Sequence, residues 1–332
     1  MLSPTAAKID APRVASAQTR KPVWKRLWAD RWSYIFMLPS LVLITMFSFY
    51  PIVASWYYSL LDWSGISSER TFIGLDNYRE IIRDPFFWDA FKRSFLFVVA
   101  TVPLEVGLSL VVAVILNDRA LRFAPAFRTL FFIPVVTTTA IMSIVMSFVF
   151  GAFNGPVNQA LITLGIRDTP VDWLGNPDTA LWTMALIGVW KWFGQPMIYW
   201  LAALQTIPQD VYEAAKVDGA TAPRIFRTIT VPLLIPFALI ILLIITVGNL
   251  NVFALIQAAT NGGPFFATET MELYIYRNAF GANTGSFTEP RLGYASAAGI
   301  IFGVCIMVIS LLLIMARRYG TWRELRGGER KR

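Results

Sequence analysis

The residues that could do chemistry in this chain are few, and most stand inside long apolar stretches. Glu105 lies in one such stretch, Lys191 and Gln195 in another, and Asn249 and Asn251 in a third. A charged or amide side chain there is costly unless it faces a cavity, another side chain or a backbone group. Trp190 and Trp192 flank Lys191. Indoles beside amides offer an apolar face and hydrogen-bonding groups, the two kinds of contact that hold a sugar ring. The lysine adds attraction for an anionic group. A Glu105–Lys191 pair that only fixes helix packing is the alternative. Thr137, Thr138 and Thr139 could line a further stretch, although threonine in a helix often bonds its own backbone. The absences exclude more. With no His there is no imidazole triad, metal ligand or proton relay. The single Cys305 excludes an intrachain disulfide and any CxxC site. No GxxxxGK[ST] phosphate loop occurs, so no ATP site of that kind is expected. Neither a metal nor a catalytic group is expected. A membrane enzyme would need a cluster of acidic or nucleophilic groups, and only the isolated Glu105 is present.

The elements that hold these residues follow from composition. Of 332 residues 56% are hydrophobic and only 15% charged, where a soluble domain carries about 25% charged residues. Hydrocarbon about 30 Å thick requires roughly 20 apolar residues in a helix. Six stretches reach that length: 34–57, 94–116, 129–150, 180–204, 233–256 and 294–316. The fold expected is all-α, a polytopic membrane bundle of about six transmembrane helices. Pro39, Pro51, Pro103, Pro134, Pro196 and Pro236 lie in or beside the stretches. Neighbouring helices must satisfy the backbone groups they free, which calls for a packed bundle. The first stretch follows more than thirty residues and exceeds a signal h-region, so it is not read as a cleavable signal.

Basic residues orient the bundle. With the N-terminus inside, twenty of the 29 Lys and Arg fall on that side, eight on the other, and Lys191 within a stretch. The positive-inside rule then places both termini in the cytoplasm. The net charge of +8 is topological, and no nucleic-acid partner is expected. Three regions result. Residues 1–33 form a cytoplasmic tail, disordered over 1–22 by composition. It ends in a segment, 23–32, whose Trp24, Trp28 and Trp32 among basic residues suit a helix lying on anionic membrane lipid. Residues 34–316 form the bundle, and 317–332 a basic cytoplasmic tail. The first outer loop, 62–93, has the apolar spacing of short amphipathic helices.

The most informative loop is cytoplasmic, 205–236. Thr206 with Gln209 fits a capping box opening a first helix, and Gly219 suits its left-handed end. Thr221 suits the cap of a second helix, which Pro232 would end. Between them Ala214 and Ala215 make a small, smooth surface flanked by Glu213, Lys216 and Asp218. From physics alone this is a helical hairpin, either covering the bundle mouth or receiving another protein.

The segment from Tyr212 to Ala220, Tyr-Glu-Ala-Ala-x-x-Asp-Gly-Ala, with Ile229 and Pro232 beyond, resembles the EAA loop of permease subunits in bacterial ABC importers. Leu255-Ile-Gln-Ala-Ala-Thr-Asn-Gly-Gly-Pro264, Thr268-Glu-Thr, Tyr274-Ile-Tyr-Arg-Asn-Ala-Phe280 and Leu292-Gly-Tyr-Ala-Ser-Ala297 are similar to segments of the carbohydrate-uptake branch, and most closely to the maltose-type first permease. The likeness runs from about Tyr34 to Arg318. Val231 departs from it, standing where the pattern has Leu.

That resemblance implies a non-catalytic permease of the bacterial inner membrane, forming half of a translocation pathway. Its partners would be a second homologous permease, two copies of an ATP-binding subunit and an extracytoplasmic solute-binding protein. The chain itself would need no cofactor, since ATP sits on the partner subunit. Coupling to the ATPase would use Tyr212, Glu213, Ala214, Ala215, Asp218 and Gly219. The pathway would be lined around Gly188, Lys191, Trp192, Gln195, Asn249, Asn251 and Val252. Val252 stands where the maltose-type permease has Asn, which leaves the sugar open. A permease for glycerol phosphate or a similar cargo, and an ion-coupled carrier using Glu105 and Lys191, are the rival readings.

Overall fold

The computed structural model describes residues 31–118, 121–283, 286–287 and 289–329. The expected disordered tail and the interfacial segment up to residue 30 lie outside them. Residues 1–54 and 55–332 form two compact units. In the first, the described residues belong to helix α1 (Arg31–Tyr58), which continues into the second. No residue of α1 is buried.

Among its described residues the second unit is helical apart from loops and two short antiparallel strand pairs. After β1 (Leu61–Asp62) and β2 (Thr71–Phe72) come α2 (Asp76–Arg83) and α3 (Pro85–Leu116). Asp84 starts α3 by accepting a bond from the Phe86 N–H at 2.8 Å, with Pro85 in the first turn where no N–H is needed. Then follow α4 (Ala124–Val136), α5 (Thr139–Val149), α6 (Pro156–Thr163), α7 (Pro177–Trp192) and α8 (Gly194–Leu204). The loop hairpin is α9 (Gln209–Val217) and α10 (Ala222–Ile225), leading into α11 (Val231–Leu250). The chain ends with α12 (Phe253–Ala259), α13 (Met271–Phe280), the hairpin of β3 (Ala282–Asn283) and β4 (Ser286–Phe287), and α14 (Leu292–Glu329). Helix α14 runs past Ala316 into the basic end of the chain.

α3 is the hub, packing against α7, α8 and α11. Trp200, Met197 and Leu204 of α8 meet Val102 and Ala113 of α3 and Ile241 of α11 in one apolar cluster. A second cluster joins Ile81, Phe87 and Ala90 to Tyr274, Ala297 and Phe302.

Four helices, including α1, are long and apolar enough to cross a membrane, or five if α4 and α5 count as one bent span. The other two expected stretches are interrupted. Residues 129–150 turn by 99° between α4 and α5. Residues 180–204 are helical but divided at Phe193 into α7 and α8. Prolines elsewhere are absorbed without a break. π turns at Thr45–Phe49 and Phe226–Thr230 each end two residues before a proline, Pro51 and Pro232. The wider turn relieves the clash of a proline ring with the carbonyl four residues back. Contrary to the sequence expectation, Pro232 therefore lies inside a continuous helical path instead of ending it.

Candidate functional site

The hairpin at 205–232 presents an end capped by backbone geometry. Gly219 has φ +74°. Its N–H donates to Lys216 O at 3.0 Å, and the Ala220 N–H to Ala215 O at 2.9 Å. These are the two bonds of a Schellman motif, as the position of Gly219 predicted. The start of α9 differs from expectation. Pro208 occupies the N-cap without a side-chain cap bond, and the Thr206 hydroxyl donates backward to Ala203 O at 2.7 Å. The capping box is absent because that threonine closes α8 instead of opening α9. Thr221 does stand at the N-cap of α10, but by backbone geometry alone.

The faces of α9 divide cleanly. Glu213, Ala214, Lys216 and Asp218 are exposed, and Ala215 is buried. Tyr212 is half-buried against the bundle's apolar cluster, its hydroxyl 3.3 Å from Thr230 Oγ1. Among the described residues Glu213 has no ion pair. The hairpin is thus anchored by Tyr212 and Ala215 while Glu213 and Ala214 face outward.

Inside the bundle the two interrupted stretches interlock. Lys191 is fully buried, and its Nζ donates to Pro134 O and Thr137 O, both at 2.9 Å. Its third side faces the Trp192 ring, 4.6 Å from the centroid. Thr137 Oγ1 also donates to Pro134 O, at 2.6 Å. Two residues on, Phe193 packs edge-on against Phe131, with ring centroids 5.5 Å apart. A Cβ on Gly194 would collide with the Phe131 carbonyl oxygen. The junction of α7 and α8 is therefore seated on the end of α4.

A second polar group joins α3 to α11. Asn249 Nδ2 donates to Glu105 Oε2 at 3.0 Å and to Ile245 O at 3.1 Å, and Asn249 Oδ1 lies 2.8 Å from Thr101 Oγ1. Glu105 is fully buried, and its Oε1 has no hydrogen-bond partner among the described residues. No ion pair joins Glu105 to Lys191. The pair weighed from sequence is replaced by two separate networks.

The remaining pathway candidates fall into two sets. Gly188 is wedged beside Phe97 and Leu255, and Val252 is buried with them in one apolar cluster. Trp192 and Gln195 are half-buried and Asn251 is exposed. The Gln195 amide donates to Tyr199 OH at 2.9 Å, and Asn251 Nδ2 to Val247 O at 2.6 Å, leaving both amide oxygens available. An apolar groove of about 620 Å³ on another face, lined by Trp56, Tyr57, Leu60, Tyr78, Ile301 and Val304 among others, includes none of these residues.

Sequence reasoning missed a polar strap between α12 and α14. Glu269, fully buried, is ion-paired with Arg277. Burial nonetheless pushes its carboxyl up to about 7, against the opposing pull of the Arg277 charge. Glu272 accepts from the Phe253 N–H at 2.8 Å, starting α12, and the Met271 N–H donates to Ser94 Oγ at 2.8 Å. Tyr274 and Tyr294 both donate to Asp84 Oδ2. The motif residues were visible in sequence; their partners, up to 210 positions away, were not.

This arrangement has known counterparts. Residues 85–319 match the family model described as "binding-protein-dependent transport system inner membrane component". The chain is 34% identical over 304 residues to the lactose transport system permease protein LacF of Rhizobium radiobacter, covering 91% of this chain and 99% of that one. It is 32% identical to the probable ABC transporter permease protein YurN of Bacillus subtilis (strain 168), over 88% of this chain and 97% of the other. The trehalose/maltose transport system permease protein MalF of Thermococcus litoralis is 32% identical over 86% of this chain and 93% of its own. Among solved structures, a bacterial ABC transporter that imports the acidic polysaccharide alginate contains a chain of the same fold. The TM-score is 0.75 at 23% identity, with 90% of this chain and 99% of that one covered. The matched span reaches from the start of α3 into α14, taking in the hairpin, both polar networks and the strap. The chain is a multi-pass membrane protein and a transport component, not an enzyme, and it belongs to the family of binding-protein-dependent transport system inner membrane components.

Proposed function

We propose that this chain is the transmembrane permease subunit of an ATP-driven importer for a sugar or related polyol, with both termini in the cytoplasm. It forms half of the pathway beside a second, homologous permease. Two copies of an ATP-binding subunit lie beneath, and an extracytoplasmic solute-binding protein delivers the cargo. The observation that carries this reading is the hairpin, where an outward Glu213–Ala214 surface is held between a buried anchor and a Schellman turn. Small side chains let a partner's backbone approach closely, and Glu213 supplies a charge for it. The printed functions of LacF and MalF, lactose and trehalose/maltose transport, support a sugar as cargo.

In this mechanism ATP binding draws the partner subunits together and moves α9. The motion passes through α8 into the bundle, which exchanges an inward for an outward opening. Of the seven pathway candidates, Trp192, Gln195 and Asn251 are the ones that meet cargo. Gly188, Lys191, Asn249 and Val252 build the wall behind them. The indole offers a sugar ring its flat face, and the free amide oxygens accept from hydroxyls.

The test is purification of the tagged chain in mild detergent, with a cysteine at E213C in a C305S background for cross-linking. Recovery of an ATP-binding subunit cross-linked at that position, together with a second permease, is the expected result. Recovery of the chain alone after cross-linking would overturn the reading in favour of an ion-coupled carrier.

A further inference from the structure

Lys191 is the one fully buried cation among the described residues, and the proposed pathway leaves its ammonium without a task. Its three N–H groups meet three acceptors: Pro134 O, Thr137 O and the face of Trp192. Pro134 O lies in the last turn of α4, at the negative end of the helix dipole, and also accepts from the Thr137 N–H at 3.3 Å and the Thr137 hydroxyl at 2.6 Å. Thr137, in extended conformation, begins the turn into α5. Phe193 against Phe131, and Gly194 against the Phe131 carbonyl, press the same two places together. Two helix breaks, one in each stretch, thus share a single joint with the ammonium at its centre.

We infer that Lys191 is a positioning residue for transport: its ammonium pins the 99° elbow of α4 and α5 to the junction of α7 and α8, so that the two broken stretches move as one body. This rests on the permease reading. Motion entering α8 from the coupling hairpin reaches α4 and α5 through this joint. Without the ammonium Thr137 O loses its donor and Pro134 O keeps only those of Thr137, within the elbow; the hydrogen bonds that tie the elbow to the junction of α7 and α8 are gone, and it pivots independently of α8. ATP hydrolysis then continues while the pathway fails to switch.

The experiment uses the assembled transporter in proteoliposomes in a C305S background. K191M is expected to lower uptake about tenfold or more, while binding-protein-stimulated ATP hydrolysis stays within about twofold of wild type. K191R, which keeps the charge and donors, restores uptake. Spin labels at L130C and F148C, on exposed sites either side of the elbow, report its angle. One narrow distance is expected in wild type and K191R, and a broad distribution in K191M. K191Q, uncharged and shorter in reach, carries the same readouts if K191M does not insert. Uptake by K191M at the wild-type rate would overturn the inference. So would a raised KM with an unchanged distance distribution, because Lys191 would then be touching cargo. The label distance can be read on the chain alone, so failure to assemble with an ATP-binding subunit would count against the permease reading and leave the joint separately tested.

Discussion

Gly219 allows the coupling role proposed for the hairpin to be tested quantitatively. An added Cβ would meet nothing within 4 Å, so no steric term enters and the whole effect is backbone conformation. At φ +74° an L side chain destabilises the turn by about 1–2 kcal/mol, with Asn penalised less than Ala. Proline is worse, since its φ is fixed near −65° and it removes the N–H that bonds Lys216 O. It also drives Asp218 out of the helical region, where it lies at φ −72°, ψ 2°. Adding the lost bonds gives about 3 kcal/mol or more against the native turn. A change of 1.4 kcal/mol is about tenfold in a local equilibrium. Transport should therefore fall in the order Gly, Asn, Ala, Pro, with G219A losing up to about thirtyfold and G219P most of its uptake. The exposed turn lies apart from the buried cluster around Trp200, so immunoblots of membranes should show equal protein throughout. The assay pairs sugar uptake with binding-protein-stimulated ATP hydrolysis in proteoliposomes. Normal uptake by G219P, or equal loss in Asn, Ala and Pro variants, would refute the argument from backbone conformation.

Other positions give independent tests. N249A removes the one hydrogen-bond donor to the Glu105 carboxyl among the described residues, and should destabilise the detergent-solubilised protein by about 1–3 kcal/mol in thermal unfolding. N249D sets a second carboxylate beside Glu105 and should be worse. G194A forces a Cβ onto the Phe131 carbonyl, with an expected loss of about 1–3 kcal/mol by the same assay. Glu269 gives a pH test. Its folded pKa of about 7 exceeds the ordinary carboxyl value of 4.5, so the folded state holds the extra proton between those values. Stability contributed by the protonated form is complete below pH 4.5 and lost as pH rises to about 7, up to about 3 kcal/mol in all. E269Q should flatten thermal stability across that window; an unchanged slope would place its origin elsewhere. Q195A and N251A should raise the KM for uptake with the maximal rate largely kept, because each removes an amide oxygen that has no hydrogen-bond partner among the described residues.

The chain reveals in sequence what depends on local composition. Apolar length marked the membrane stretches, and charge with apolar spacing marked α2. A glycine four residues after Ala215 marked the left-handed end of α9. Hydropathy carries no direction, however, and so it could not show that 129–150 turns through a right angle or that 180–204 divides at Phe193. Capping signals were ambiguous for a related reason. Thr206 had a partner available in either direction, and Pro208 between it and Gln209 settled the matter. Pro232 read as a stop because sequence spacing does not disclose a π turn. The side-chain networks were least legible. Glu105 finds Asn249 144 positions away, and Lys191 finds backbone oxygens, which no residue pattern announces.

These networks change what a charge inside a membrane stretch signifies. The usual inference runs from an intramembrane lysine or glutamate to a substrate or ion pathway. Here Lys191 spends its donors on carbonyls beside a helix break, and Asn249 spends its amide on Glu105, Thr101 and its own helix. Such groups donate to backbone carbonyls and to one oxygen of a buried carboxylate. They make an interrupted, angular bundle stable in a solvent that otherwise permits only unbroken helices. On the proposed reading, cargo contact belongs to side chains with hydrogen-bonding capacity left over and some surface exposed, which Gln195 and Asn251 have among the described residues and Lys191 does not. Unspent hydrogen-bonding capacity together with exposure is therefore the criterion that the proposed reading puts to test at Gln195 and Asn251, since Glu105 Oε1 is unpaired yet fully buried.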